Sequence, residues 1–177
     1  FELNWVEASA HPIGAVGLWN SMIKIIKMAK EKGDDIIVIC EDDHYFTENY
    51  SPKLLFKEVT EAYIQGAEVL SGGIGGFGQA IPAGYHRYKV DWFWCTQFIV
   101  IYNRFFDKML DYSFQNTDTA DGVISKLATN IMVIYPFISE QKDFGYSDVT
   151  QSNMEQQGKI REHFARANKH MKSISLK

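Results

Sequence analysis

The sequence has 177 residues, a net charge of −4 and 23% charged residues. That length suits one domain, and 46% hydrophobic with 14% aromatic residues is enough for a packed core, which excludes a disordered chain. The acidic balance speaks against a nucleic-acid binder, and no apolar run approaches the ~20 residues of a membrane span.

The chain opens on Phe1 without an initiator methionine or a signal-peptide pattern, so upstream residues are expected to be missing. Phe1–Val6 reads as a short strand. Val16 to Lys32 reads as a helix, with Val16, Trp19, Ile23 and Ile26 at helical spacing and Gly33 in the stop position. Ile36–Cys40 is an apolar, β-branched run, the pattern of a strand buried on both faces. Ser51 then Pro52 is an N-cap followed by a favoured first helical residue, and that helix runs to Gly66. Ala67–Ser71 reads as a second buried strand, Gly72–Gly78 as loop, and Trp92–Tyr102 as one long strand. Asn103 is placed to cap a helix carrying Phe105, Phe106, Met109 and Leu110. A further helix starts near Asp121, and Ile131–Tyr135 is the last strand. Strands alternating with helices predict an α/β/α sandwich with a mostly parallel central sheet. Cys40 and Cys95 each sit in an apolar run and read as buried thiols, which gives no disulfide framework and makes a cytoplasmic protein the simplest expectation.

Glu41-Asp42-Asp43 follows directly on the Ile36–Cys40 strand. In open α/β sheets ligands bind beyond the carboxyl ends of strands. Three adjacent carboxylates repel one another, and a hard divalent cation such as Mg²⁺ or Mn²⁺ offsets that repulsion while bridging to substrate phosphates. Glu41 and Asp43, two apart on extended backbone, are the candidate metal ligands. A solvated acidic turn is the plain alternative. Phosphohydrolases with an aspartate nucleophile also carry carboxylates two apart after an apolar strand, but they need Asp first, where this chain has Glu41.

These residues resemble glycosyltransferase family 25, which covers lipopolysaccharide-biosynthesis and collagen-type sugar transferases. The resemblance rests on Val6-Glu7-Ala8, Gly14 and Ser21 in the first helix, and Ile37-Val38-Ile39-Cys40-Glu41-Asp42-Asp43. It continues through Asp121-Gly122-Val123-Ile124, Pro136-Phe137-Ile138, Gln141 and Ser147-Asp148-Val149. It spans most of Phe1–Val149. Met22 stands where the family has His, no Pro precedes Asp121, and the strand that precedes the Val6-Glu7-Ala8 element is missing. The resemblance implies a GT-A (Rossmann-like) fold, a UDP-linked nucleotide-sugar donor, inversion at the anomeric carbon and a divalent metal. The implied division is a catalytic domain over 1–153 and a basic amphipathic helix over 154–177. A catalytically silent sugar-binding relative is the alternative that the departures leave open.

Inverting transfer needs a carboxylate base for the acceptor hydroxyl. Asp118 and Asp121 both lie where a helix begins, and N-capping alone would explain either one; the family's order favours Asp121. Asp42, Gly75 and Gly76 are the candidate donor-binding residues. Gly73-Ile74-Gly75-Gly76-Phe77-Gly78 spells G-x-G-x-x-G, but no helix follows, so it is not a dinucleotide fingerprint. A mobile loop over the cleft is the functional reading and a surface turn the plain one. Trp92 and Trp94 are candidates for stacking on a saccharide acceptor, or else core of a strand. His44 is either a neighbour of the metal ligands or merely exposed. From Met154 the chain carries Ile160, Phe164, Ala167, Met171 and Ile174 among Lys159, Arg161, Arg166, Lys169 and Lys172. That pattern predicts a helix that docks on the domain or lies on the inner face of a membrane, apt for a lipid-linked acceptor.

Overall fold

A computed structural model describes residues 2–142 and 159–175. The elements in chain order are α1 (Gly14–Lys32), β1 (Ile36–Cys40), β2 (His44–Phe46), α2 (Pro52–Ile64), β3 (Val69–Ser71) and β4 (Ala80–Pro82). They continue with β5 (Arg87–Val90), β6 (Phe98–Tyr102), α3 (Asn103–Leu110), α4 (Ala120–Leu127), β7 (Ile131–Ile134), β8 (Ser139–Gln141) and α5 (Lys159–Ser175).

Six strands form one sheet in the order β1-β6-β3-β7-β5-β4, and β2 pairs with β8 in a separate ribbon. The strand β6, FIVIY, shows why the architecture has three layers. Its side chains alternate across the sheet. Phe98, Val100 and Tyr102 pack with Leu55, Val59 and Ala62 of α2. Ile99 and Ile101 belong to the opposite core with Trp19, Met22 and Ile26 of α1, Phe105 and Met109 of α3, and Val123 of α4. All five β6 residues are buried, as a continuous apolar run requires.

The α/β/α layering is as expected; the strand directions are not. Only β3 and β7 run parallel, whereas β1–β6, β6–β3, β7–β5 and β5–β4 are antiparallel. The alternation of strands and helices misleads because β4 and β5 form a hairpin with no helix between them. Gly84 and Ala83 close its turn by donating to the Arg87 carbonyl. Arg87 is fully buried and is held against Glu58, Glu61 and Gln65 of α2, so a charged residue fills an interior β-position only because α2 supplies the carboxylates.

Four further expectations are corrected. Residues 2–6 form no strand; Leu3 and Trp5 lie exposed, and no strand among the described residues pairs with them. Ile36–Cys40 is a strand, but it lies at the sheet edge and is not buried on both faces: Ile36, Ile37 and Val38 are half-buried and Cys40 is exposed. The long strand ends up short, since residues 92–97 are irregular and only Phe98–Tyr102 enters the sheet. Asn103 does not cap α3. Tyr102 holds the cap position without a side-chain bond, and the Asn103 amide donates instead to Asp35.

The helix ends follow their signals closely. Ser51 accepts the Leu54 N–H with Pro52 beginning α2, and Gly33 ends α1 at φ 74°. In α5, Phe164, Ala167 and Met171 are buried in the same core as Phe77, Tyr88 and Phe137, with the helix lying by β4 and β8, so the apolar stripe docks on the domain. The expected helix start at Met154 and the Ser147-Asp148-Val149 element lie outside the described residues. No helix among those described is long and apolar enough to cross a membrane.

Candidate active site

The site is built where β1 ends. The Glu41 N–H donates to the Gln97 carbonyl at 3.0 Å, which continues the β1–β6 ladder one residue past the strand. Glu41 thereby turns its carboxyl inward, where the Thr96 hydroxyl donates to Oε1 at 2.6 Å. Asp42 is exposed at the turn. Asp43 is half-buried, and its Oδ2 accepts from the Gln141 amide at 2.5 Å. Its backbone carbonyl accepts the Lys142 N–H at 2.7 Å. The β2–β8 ribbon thus fixes Asp43, with His44 opposite Gln141 in its register. His44 is held by Ser139, its Nδ1 lying 2.9 Å from the hydroxyl, so it serves the ribbon and is not a free ligand.

Burial pushes the Glu41 carboxyl up to about 7 against the pull of the Thr96 hydrogen bond, and the charges of Asp43, Asp42 and Asp121 add to the rise. Burial also raises Asp43, opposed by the Gln141 bond and reinforced by Asp42. Asp121, far off in sequence, therefore shares one electrostatic site with the β1 carboxylates.

The link is the irregular segment 92–97. Its backbone is tied on alternate sides. The Phe93 N–H donates to Ser125 of α4 at 3.1 Å, the Trp94 N–H to the Gly76 carbonyl at 3.1 Å, and the Cys95 N–H to Asp121 Oδ2 at 3.1 Å. Cys95 reaches Asp121 from a left-handed conformation, φ 77°, which breaks the strand there. Its thiol is driven upward by burial and by the charges of Asp121 and Glu41, so it stays protonated. Asp121 sits in the first turn of α4 after the Thr119 cap, and its other oxygen accepts the Gly122 N–H at 2.8 Å. Asp118 has a different occupation: it accepts from the Tyr112 hydroxyl at 3.1 Å and the Gln115 N–H at 2.8 Å, which closes the turn before α4.

Gly75 and Gly76 are at this site, but the glycine-rich stretch is not an open loop. Gly72 to Gly75 are buried. A Cβ on Gly73 would collide with the Ser139 carbonyl, one on Gly75 would lie 2.7 Å from the Cys95 sulfur, and one on Gly76 would lie 2.6 Å from the Trp94 ring. The glycines are there for close approach of neighbouring backbone and rings. Across this stretch α5 brings His163, whose Nδ1 is buried with no hydrogen-bond partner among the described residues and whose ring meets Trp94 edge-on.

Thr96, Cys95 and His163, which the sequence did not single out as site candidates, lie beside the candidates it did: Thr96 bonds Glu41, Cys95 bonds Asp121, and His163 meets Trp94. Thr96 and Cys95 look like ordinary strand residues, and His163 sits beside a helix's apolar stripe.

Whether these residues fit a divalent cation can be judged from their oxygens. No group of three His, Cys, Asp or Glu side chains among the described residues is arranged to hold a metal. One Asp43 oxygen, Oδ1, is nevertheless buried with no hydrogen-bond partner, and Glu41 has committed only one oxygen to Thr96. A Mg²⁺-type ion commonly takes one or two carboxylates and completes its shell with water and substrate phosphate, which this pair fits.

No family model and no curated protein matches this chain. Among solved structures, it is similar to one described as the crystal structure of apo-UDP-glucose pyrophosphorylase, at 10% sequence identity and a TM-score of 0.48. The likeness covers 87% of this chain and 61% of that one, so the chain spans less than two thirds of that neighbour's length.

Proposed function

We propose that the chain is the catalytic part of a glycosyltransferase that moves a sugar from a nucleotide-sugar donor to a saccharide hydroxyl with inversion. The observation that carries the reading is the convergence of two carboxylate groups through one segment: Thr96 holds Glu41 and Cys95 holds Asp121.

In this reading Glu41 and Asp43 face the donor diphosphate, with Asp42, Gly75 and Gly76 beside it. They would hold Mg²⁺ or Mn²⁺, which when bound neutralises charge growing on the departing phosphate. Asp121 stands on the acceptor side. It takes the proton from the acceptor hydroxyl as that oxygen bonds to the anomeric carbon and the bond from that carbon to the phosphate oxygen breaks. The Cys95 and Gly122 amides keep Asp121 oriented for this, and Asp118, spent on its turn, is set aside as base. Glu41 and Asp43 are unsuited to the role because a cation lowers their proton affinity.

Arg161, Arg166, Lys169 and Lys172 lie exposed on α5 and are the surface for peripheral contact with anionic lipid. Sedimentation with anionic vesicles at low salt checks that contact. The reaction itself is tested by incubating the protein with a panel of UDP-sugars and saccharide acceptors, with Mn²⁺ and with EDTA. Metal-dependent release of UDP coupled to a glycosylated product is expected, and release of inorganic phosphate instead would point to a phosphohydrolase.

A further inference from the structure

Trp94 is 46% exposed, yet it is pinned on several sides. Its backbone is bridged to the glycine stretch in both directions, since the Gly75 N–H donates to the Trp94 carbonyl at 2.9 Å and the Trp94 N–H to the Gly76 carbonyl at 3.1 Å. Its ring lies so close over Gly76 that a Cβ there would stand 2.6 Å from it. Trp92 leans against it at 5.1 Å between centroids, and the His163 ring meets it edge-on at 5.5 Å and 76°. An indole with so little freedom left loses almost no entropy when a ligand settles on it. It is also next in sequence to Cys95, whose amide holds Asp121, and two residues from Thr96, which holds Glu41.

We infer that the exposed Trp94 indole is the acceptor subsite, a platform for the C–H face of a neutral pyranoside, and that His163 of α5 is the residue that positions it. The inference rests on the glycosyltransferase reading and deepens it by naming the acceptor class. A pyranoside fits because it offers an apolar ring face to an aromatic one and hydroxyls at its rim to water and carboxylate. The residue that follows Trp94 is the one whose amide holds Asp121, which ties the platform to the base proposed for the acceptor hydroxyl. The inference also gives α5 a task beyond docking. Phe164 and Met171 anchor the helix in the core, Phe77 stacks on His170 at 4.5 Å, and His163 is thereby held against the platform.

The test separates acceptor from donor. Methyl β-D-galactopyranoside, methyl β-D-glucopyranoside and methyl α-D-mannopyranoside are titrated against the full chain by saturation-transfer NMR, which reads the sugar and not the indole, and UDP with Mn²⁺ is titrated separately by calorimetry. At least one pyranoside should bind saturably. W94A should weaken it by about 10- to 100-fold, the range of a central aromatic anchor, and weaken UDP far less, by the small change that losing the ring over Gly76 brings. H163A should weaken it several-fold, and H163F, which keeps an edge against the indole, should restore it. Pyranoside binding unchanged in W94A, no pyranoside binding by the wild-type protein, or a loss of UDP affinity in W94A as large as the loss of pyranoside affinity would each overturn the subsite. Failure of the wild-type protein to bind UDP at all would instead count against the donor reading beneath it.

Discussion

The backbone N–H of Cys95 donates to Asp121 Oδ2 at 3.1 Å, and Cys95 does so from a left-handed conformation at φ 77°. A non-glycine residue held there carries strain of about 1–3 kcal/mol. Replacing it with glycine relieves that strain but removes the partly buried thiol, so C95G should unfold in urea within about 1 kcal/mol of the wild-type protein. C95V places a β-branched side chain at the same φ and should lose roughly 2 kcal/mol or more. Equal stability of C95V and C95G would mean that the left-handed turn is not maintained.

Gly73 should be the least replaceable glycine. The obstacle is the Ser139 backbone carbonyl, which cannot rotate away. G73A is expected to cost about 3 kcal/mol or more by overpacking, read as a drop in Tm, whereas alanine at Gly33, where a Cβ meets nothing within 4 Å, should cost only its left-handed strain of about 1 kcal/mol. Hydrogen exchange should show the buried amides of 72–75 well protected without any ligand.

Much of the fold was legible because local chemistry and tertiary structure agreed: Ser51-Pro52 started a helix, Gly33 ended one, and the apolar run to Ser71 became the buried strand β3. The rest depended on partners distant in sequence. Nothing local announces that Ile36–Cys40 will have a neighbour on one side only, or that Ala80–Pro82 and Arg87–Val90 will pair. Trp92–Gln97 has the composition of a strand, and the ties to Gly76, Ser125 and Asp121 that bend it come from two other segments, the glycine stretch and α4. Of the candidate site, the carboxylates were visible as charge placed after a strand and at a helix start. Their supports, Thr96, Cys95 and Gln141, are uncharged or weakly polar and carry no such mark.

Glu41 predicts a pH dependence in metal-free buffer. Its carboxyl is raised from 4.5 to about 7 by burial. Below pH 4.5 it is protonated in both folded and unfolded chains and contributes nothing. Between pH 4.5 and 7 the unfolded chain gives up the proton first, so folding stability falls, and above 7 the loss is constant at on the order of 3 kcal/mol. E41Q cannot titrate and should gain on the wild-type protein over that window in urea melts with EDTA present. Parallel pH profiles for the two proteins would show that the carboxyl is not held in this environment.

The two helix-start aspartates should separate kinetically. D121N should lower kcat by roughly 10²–10⁴-fold with UDP affinity nearly intact, as loss of a general base does. D118N keeps an amide oxygen that can accept from Tyr112 and Gln115 but loses the carboxylate charge, and it should cost at most about 1 kcal/mol of stability with kcat little changed. The reverse order of effects on kcat would move the base to Asp118.

The most direct measurement of the central claim is calorimetric titration of UDP into the wild-type chain and into D43N, each with Mn²⁺ and with EDTA. The unpartnered Asp43 oxygen and the carboxyl of Glu41 are the atoms proposed to join cation and diphosphate. The wild-type protein should bind UDP at least about 10-fold more tightly with Mn²⁺ than with EDTA, a difference that charge neutralisation at the diphosphate readily supplies, and D43N should lose that difference. Equal affinity and equal Mn²⁺ dependence in the two proteins would contradict the assignment of Glu41 and Asp43 to the donor site.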